Sequence, residues 1–251
     1  HSIFKMQRHK YRKPNSNLKG STIMIDAYLA GFEVFSKDAV YIGEQHKRIC
    51  QKFLTIGHYP LDNTIHASSK EECARLIFEG NLELIHKSQL IIANLNNFRG
   101  SSDHPSSDSG TLWETGYGAA IGKIVIGYAA DVSIIPTIVK DNILLIQANS
   151  FEECLEKLDE LKTLVCDTKP PQLDDSDKTF YLDPKYPDIS DCDAEASFMV
   201  GYCYGKGLQP KVVISDKRSQ IEKYGNESHG YMVEDFNQPC NLMICCSATL
   251  I

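Results

Sequence analysis

The chain has 251 residues, 42% of them hydrophobic, which is enough to bury one large core or two smaller ones and too apolar for global disorder. A net charge of -7 and a pI near 5.6 give no electrostatic reason to bind a nucleic-acid polymer or an anionic membrane surface, so a small-molecule substrate fits better. The nine cysteines form no CxxC pair and no zinc-like spacing, and the eight histidines no HxH or HExxH, so no metal or other cofactor is expected and the thiols read as those of a reducing, cytoplasmic compartment.

Residues 1–20 are basic and polar, without the apolar stretch of a signal peptide, and read as a disordered or artificially added arm. No later run reaches the roughly 18 apolar residues of a membrane span. From Thr22 strands and helices alternate. An apolar run over 23–30 is followed by a helix over 37–53 and the turn-rich Tyr59-Pro-Leu-Asp-Asn63. A helix over 71–85 leads to a buried strand over 90–95. A polar loop over 96–110, a helix over 111–121 and a strand over 124–128 come next. Residues 141–148 suit a further strand, and Ser150-Phe-Glu-Glu opens a helix with a capping-box pattern that runs to about Val165. This order predicts a parallel sheet with helices on both faces, within a unit spanning 21–166.

Residues 167–178, with two prolines and four aspartates, read as a linker. The remainder, 179–251, carries a partial repeat of the first unit. Residues 193–206 can be laid on 108–123, each followed by an apolar strand, and the position matching Glu114 is Met199. Two similar units alike by chance, or a degenerate half-duplication that lost its own chemistry, both account for this. Apart from Asn142, no residue between 131 and 229 names a role.

The most informative segment is Asp108-Ser-Gly-Thr-Leu-Trp-Glu-Thr-Gly-Tyr117. It leaves the carboxyl end of a strand, where ligands of open α/β sheets sit. Thr111 and Glu114 fit a T-x-x-E capping box, which gives Glu114 a purely structural explanation. The chemical explanation is that a carboxylate in the first turn of a helix stays anionic. It can then stabilise an oxocarbenium-like centre or bond to it as a glycosyl ester. Asp108, six residues earlier, can reach over the same strand end to hydrogen-bond or protonate a departing base, or simply cap the loop. The glycines at 116, 118 and 122 lie in or just after the helix and do not form a dinucleotide loop.

These residues carry a resemblance. Ala27-Tyr-Leu-Ala-Gly-Phe-Glu-Val-Phe35, Tyr59 to Asn63, Ile91-Ile-Ala-Asn-Leu-Asn-Asn-Phe-Arg-Gly100, the 108–117 segment, Gly230-Tyr-Met-Val-Glu-Asp-Phe236 and Asn241-Leu-Met243 together resemble the nucleoside 2-deoxyribosyltransferase family. The resemblance implies a flavodoxin-like fold and a two-step exchange of a deoxyribosyl group between bases. It further implies a 2′-deoxynucleoside and a free nucleobase as ligands, and a homo-oligomer. By the same resemblance Glu114 is the nucleophile, Asp108 binds the base, and Tyr28 holds the glutamate and keeps its pKa low. A second base-side aspartate of the family falls on Asn81, or is replaced by Asp62; an asparagine there can bind a base but cannot protonate it. Gly31, Phe32 and Trp113 are expected around the substrate. In the family an Asn-Leu-Met asparagine completes a neighbouring subunit's site. Asn241 is the better match and Asn142 the alternative, and a second unit packed on the first would let Asn241 complete the site within one chain.

Arg99 suits bracing of its loop against Asp103 or Asp108 better than a phosphate contact, and Glu33 in the first loop would repel a 5′-phosphate. Capture of the same intermediate by water, as in a nucleoside or deoxynucleotide N-glycosidase, is the alternative reaction. A non-catalytic nucleoside-binding protein is the other class.

Overall fold

The computed structural model describes residues 7–12, 24–98, 105–160, 163–168, 171, 179–181, 193–214, 231–232 and 234–251. Five parallel strands form the main sheet: β2 (Ile25–Ala30), β3 (Thr55–His58), β4 (Leu90–Asn94), β5 (Ile124–Ala129) and β6 (Leu144–Gln147). Their spatial order β3-β2-β4-β5-β6 is the doubly wound, flavodoxin-like order, whose chain reversal falls between β2 and β4. Every residue of β4 and β5 is buried, as strands covered on both faces require. One face carries α1 (Ala39–Lys52) and α5 (Phe151–Glu160). The other carries α2 (Lys70–Lys87) and α3 (Ser109–Ala120), and each face has its own apolar core.

Two expectations change. The helix opened by Ser150 ends at Glu160, and Thr163–Thr168 is a strand, β7, not a helical continuation. Its β-branched residues favour extended backbone, and a partner is at hand. That partner is β1, Gln7–Arg12, antiparallel to it in register from Gln7 opposite Thr168 to Arg12 opposite Thr163. Part of the basic arm is therefore a strand, while the rest of residues 1–20 and nearly all of the expected linker lie outside the described residues.

The second unit consists of β8 (Thr179–Tyr181), α6 (Ala194–Gly205), β9 (Lys211–Val213), α7 (Leu242–Ser247) and β10 (Thr249–Leu250), with its three strands parallel in the order β8-β9-β10. Helices α3 and α6 are both 12 residues long and are built alike. Each starts at an aspartate whose carboxylate accepts the backbone N–H three residues on: Asp108 from Thr111, Asp193 from Ala196. Each ends at a glycine in the left-handed region, Gly122 (φ 81°) and Gly207 (φ 72°). The two helices cross back to back. A Cβ on Gly116 would lie 2.0 Å from the carbonyl oxygen of Phe198, and one on Gly201 would lie 2.0 Å from that of Trp113. Gly116 and Trp113 stand in α3 where Gly201 and Phe198 stand in α6, so the contact is reciprocal, as across a twofold axis. Helix α6 thus packs on α3 through equivalent positions, and Met199 stands in α6 where Glu114 stands in α3.

Candidate active site

The candidate site lies between β2 and the two helices α2 and α3 that cover one face of the sheet. Tyr28, fully buried in β2, donates its hydroxyl to Glu114 Oε1 at 2.5 Å. Asn81, inward on α2, approaches the same oxygen with its Nδ2 at 3.5 Å. Strand, helix and helix therefore converge on one carboxylate. Asn81 is 5% exposed, and its Oδ1 has no hydrogen-bond partner among the described residues, so a buried acceptor stands beside Glu114.

The capping explanation of Glu114 does not hold. The helix is capped by Asp108, whose Oδ2 accepts from both the amide and the hydroxyl of Thr111 at 2.7 Å. The helix therefore starts at Ser109, one turn earlier than a Thr111 cap would give, and Glu114 falls in its second turn with no orphan amide to bind. Nor is the carboxyl held in the ordinary range by the helix end and Tyr28. Burial pushes it up to about 8; the Tyr28 hydrogen bond works against this, and the charges of Asp108 and Glu234 add to it. Burial and the negative charge of Glu114 in turn hold the Tyr28 hydroxyl well above its usual value, so it remains a donor.

Residues near the C-terminus approach the start of α3 and the inner face of α2. Asn241 caps α7 by accepting from the Met243 amide at 2.9 Å, and its Nδ2 lies 2.6 Å from where a Cβ of Gly110 would stand, over the first turn of α3. Met243 Sδ lies 3.7 Å from Asn81 Nδ2. Glu234 had no role in the sequence reading. It accepts from Asn241 Nδ2 and from the Leu242 amide, both at 3.1 Å. Its only signal was membership of the Gly230 to Phe236 segment. In the first unit the short helix that leads into β6, α4 (Thr137–Lys140), starts at Pro136, which makes no side-chain cap.

A model of the nucleoside 2-deoxyribosyltransferase family matches residues 27–243. The chain belongs to this family of enzymes. Among solved structures it is similar to a 2-desoxiribosyltransferase from Leishmania mexicana, at 28% identity over 47% of this chain and 72% of that one, with a TM-score of 0.36. It is also similar to a 2-deoxyribosyltransferase from Bacillus psychrosaccharolyticus, at 17% identity over 54% and 91%, with a TM-score of 0.41. A comparison with curated proteins gives no match. No helix among the described residues is long and apolar enough to cross a membrane.

The other residues expected at the site of this family member fall as follows. Gly31 follows β2, where a Cβ would lie 2.1 Å from Glu33 Oε2 and 3.2 Å from Asn94 Cβ. Phe32 is half-buried, stacked on Phe98 at 4.9 Å and edge-on to Tyr231 at 5.7 Å, an aromatic cluster at the mouth between β2 and β4. Three readings need correction. Trp113 is a core residue: it is completely buried, its Nε1 donates to Ser247 Oγ at 2.8 Å, and it stacks on Tyr117. Asp62 faces α1, on the other side of the sheet, where Lys47 at 2.6 Å and the Tyr59 amide at 2.9 Å occupy its oxygens. Asn142 gives its amide to the Ile138 carbonyl at 2.8 Å, in the turn after α4. Glu33 accepts from Asn94 Nδ2 at 2.6 Å beside Tyr128, and burial raises its pKa. Arg99 and Asp103 lie outside the described residues.

Proposed function

We propose that this chain transfers a 2-deoxyribosyl group from one nucleobase to another through a covalent ester on Glu114. The observation that carries the reading is the buried Tyr28–Glu114 hydrogen bond, with Asn81 on α2 approaching the same carboxylate oxygen and Asp108 capping the helix that carries Glu114. As the bond from C1′ to the base nitrogen breaks, its electron pair leaves with the base, which takes up the proton that Glu114 gives up on ionising. A Glu114 oxygen bonds to C1′. In the second half the nitrogen of an incoming base attacks C1′, the ester bond returns its electron pair to Glu114, and the base loses a proton.

A carboxyl raised to about 8 is a poor resting anion and a strong partner for a cation. Positive charge developing at C1′ beside this buried carboxyl favours its ionisation, so the interaction strengthens toward the transition state. Tyr28 then stabilises the anion and fixes which oxygen remains for attack. Asp108 and Asn81 hold the base side, and Asn241 the sugar. Asn241 and Glu114 belong to the same chain. Incubation of a 2′-deoxynucleoside with and without a second base, followed by chromatography, tests the reading. Exchange product that appears only with the acceptor supports it; equal base release without acceptor identifies a hydrolase. Exchange that persists in Glu114→Ala overturns the role of Glu114.

A further inference from the structure

We propose that Glu234 is a positioning residue whose carboxylate fork fixes the Asn241 amide over the first turn of α3, where the reading of Glu114 as sugar nucleophile places the deoxyribose. The inference rests on that reading and adds a residue to it.

Helix α7 has six residues, too few to hold its own start, and Asn241 cannot be steered by its backbone alone. Its amide oxygen is committed to the Met243 amide at 2.9 Å, which fixes the flip state: a reversed amide would set NH2 against N–H. One hydrogen of Nδ2 is committed to Glu234 Oε1 at 3.1 Å, and Glu234 Oε2 takes the neighbouring Leu242 amide at the same distance. The two oxygens of one carboxylate thus grip a side chain and the backbone beside it. What Asn241 offers a sugar hydroxyl is its second Nδ2 hydrogen, and Glu234 sets the direction in which it points. Gly110 leaves the room for this arrangement, since a Cβ there would lie 2.6 Å from Nδ2.

The segment that carries Glu234 is itself pinned across the mouth of the site. On one side the Met232 amide donates to the Phe35 carbonyl at 2.8 Å, and Tyr231 packs edge-on to Phe98. On the other, Asp235 pairs with Lys70, and Asn237 donates to Glu71 at 2.8 Å, both at the start of α2. A rigid base for the clamp is what positioning requires. An acid is also a costly choice for a merely structural tie. Its charge opposes that of Glu114, as does that of Asp108 on α3, whereas Tyr28 on β2 relieves it. A neutral acceptor would cap α7 without this cost.

The test is deoxyribosyl exchange by Glu234→Ala, Glu234→Gln, Asn241→Ala and the Glu234→Ala/Asn241→Ala double variant, with 2′-deoxynucleosides and with analogues lacking one further sugar hydroxyl. Glu234→Ala should lower kcat/KM by on the order of 10- to 100-fold and erase the preference for the fully hydroxylated sugar. The double variant should be no worse than Asn241→Ala alone, because both changes remove one unit. Glu234→Gln, which can accept one of the two N–H groups but not both, should move in the same direction and lower the pH at which the acid limb of kcat/KM bends. Unchanged hydroxyl preference in Glu234→Ala and Glu234→Gln, or losses that multiply in the double variant, overturns the proposal. If the wild type shows no exchange, the reading of Glu114 fails while the clamp is still decided by NMR. The Asn241 side-chain amide should give two well-separated, slowly exchanging protons in the wild type and averaged ones in Glu234→Gln. The same pair unchanged in Glu234→Gln overturns the clamp.

Discussion

Replacing Glu114 by glutamine should make the protein more stable at neutral pH while abolishing exchange. The amide keeps an oxygen for the Tyr28 hydroxyl and removes the charge that burial, Asp108 and Glu234 oppose. A carboxyl raised from its ordinary 4.5 to about 8 binds its proton more tightly in the folded chain than in the unfolded one. Between those two values the folded state holds more protons, so stability is full below the unfolded pKa and is lost as pH rises through the folded one. At about 1.4 kcal/mol per pH unit above 4.5, the wild type gives up about 3 kcal/mol by pH 7. The glutamine variant does not. For a chain of this size that is roughly 6–12 °C in Tm. Circular-dichroism melts of both proteins from about pH 4 to about pH 9 measure it. The gap should widen through that window and level off above pH 8. A gap that stays constant with pH, or a glutamine variant that melts below the wild type at high pH, refutes the reasoning.

Tyr28→Phe removes the contact that holds the Glu114 carboxyl down, so the acid limb of kcat/KM should move to higher pH. At neutral pH the rate should fall about tenfold for each unit the carboxyl gains, and a pH profile that keeps its wild-type bend counts against the role of Tyr28. Gly201→Ala places a methyl 2.0 Å from the Trp113 carbonyl and forces α6 away from α3. It should cost about 1–3 kcal/mol or more and depress exchange with it, and a wild-type melt would mean that the two helices are not in close contact.

The main sheet was legible because its central strands are buried on both faces. Leu90–Asn94 and Ile124–Ala129 read as short apolar runs between helical periods, and no other element competes for such text. Thr163–Thr168 was misread because an apolar helix end and a β-branched strand look alike over six residues, and its partner lies more than 150 positions earlier, at Gln7–Arg12. Asp108 and Thr111 are both good helix caps, and only the fold decides between them. The Tyr28–Glu114 pair came from resemblance, since nothing local in β2 says which face its tyrosine takes. Trp113 and Asp62 were misplaced for the same reason: their residue types suit a pocket, but the side of the element on which they sit does not. Glu234 could not be read, because its function is a contact with Asn241 and Leu242 made by folding.

The central claim is that a deoxyribosyl group rests on Glu114. The direct measurement is peptide mass spectrometry of protein quenched during turnover of a 2′-deoxynucleoside fluorinated at C2′, which slows breakdown of a glycosyl ester by opposing positive charge at C1′. The account predicts a single sugar adduct on the peptide carrying Glu114, discharged by added nucleobase and missing from Glu114→Gln. An adduct on another residue, or continued exchange with no adduct at any time, would contradict it.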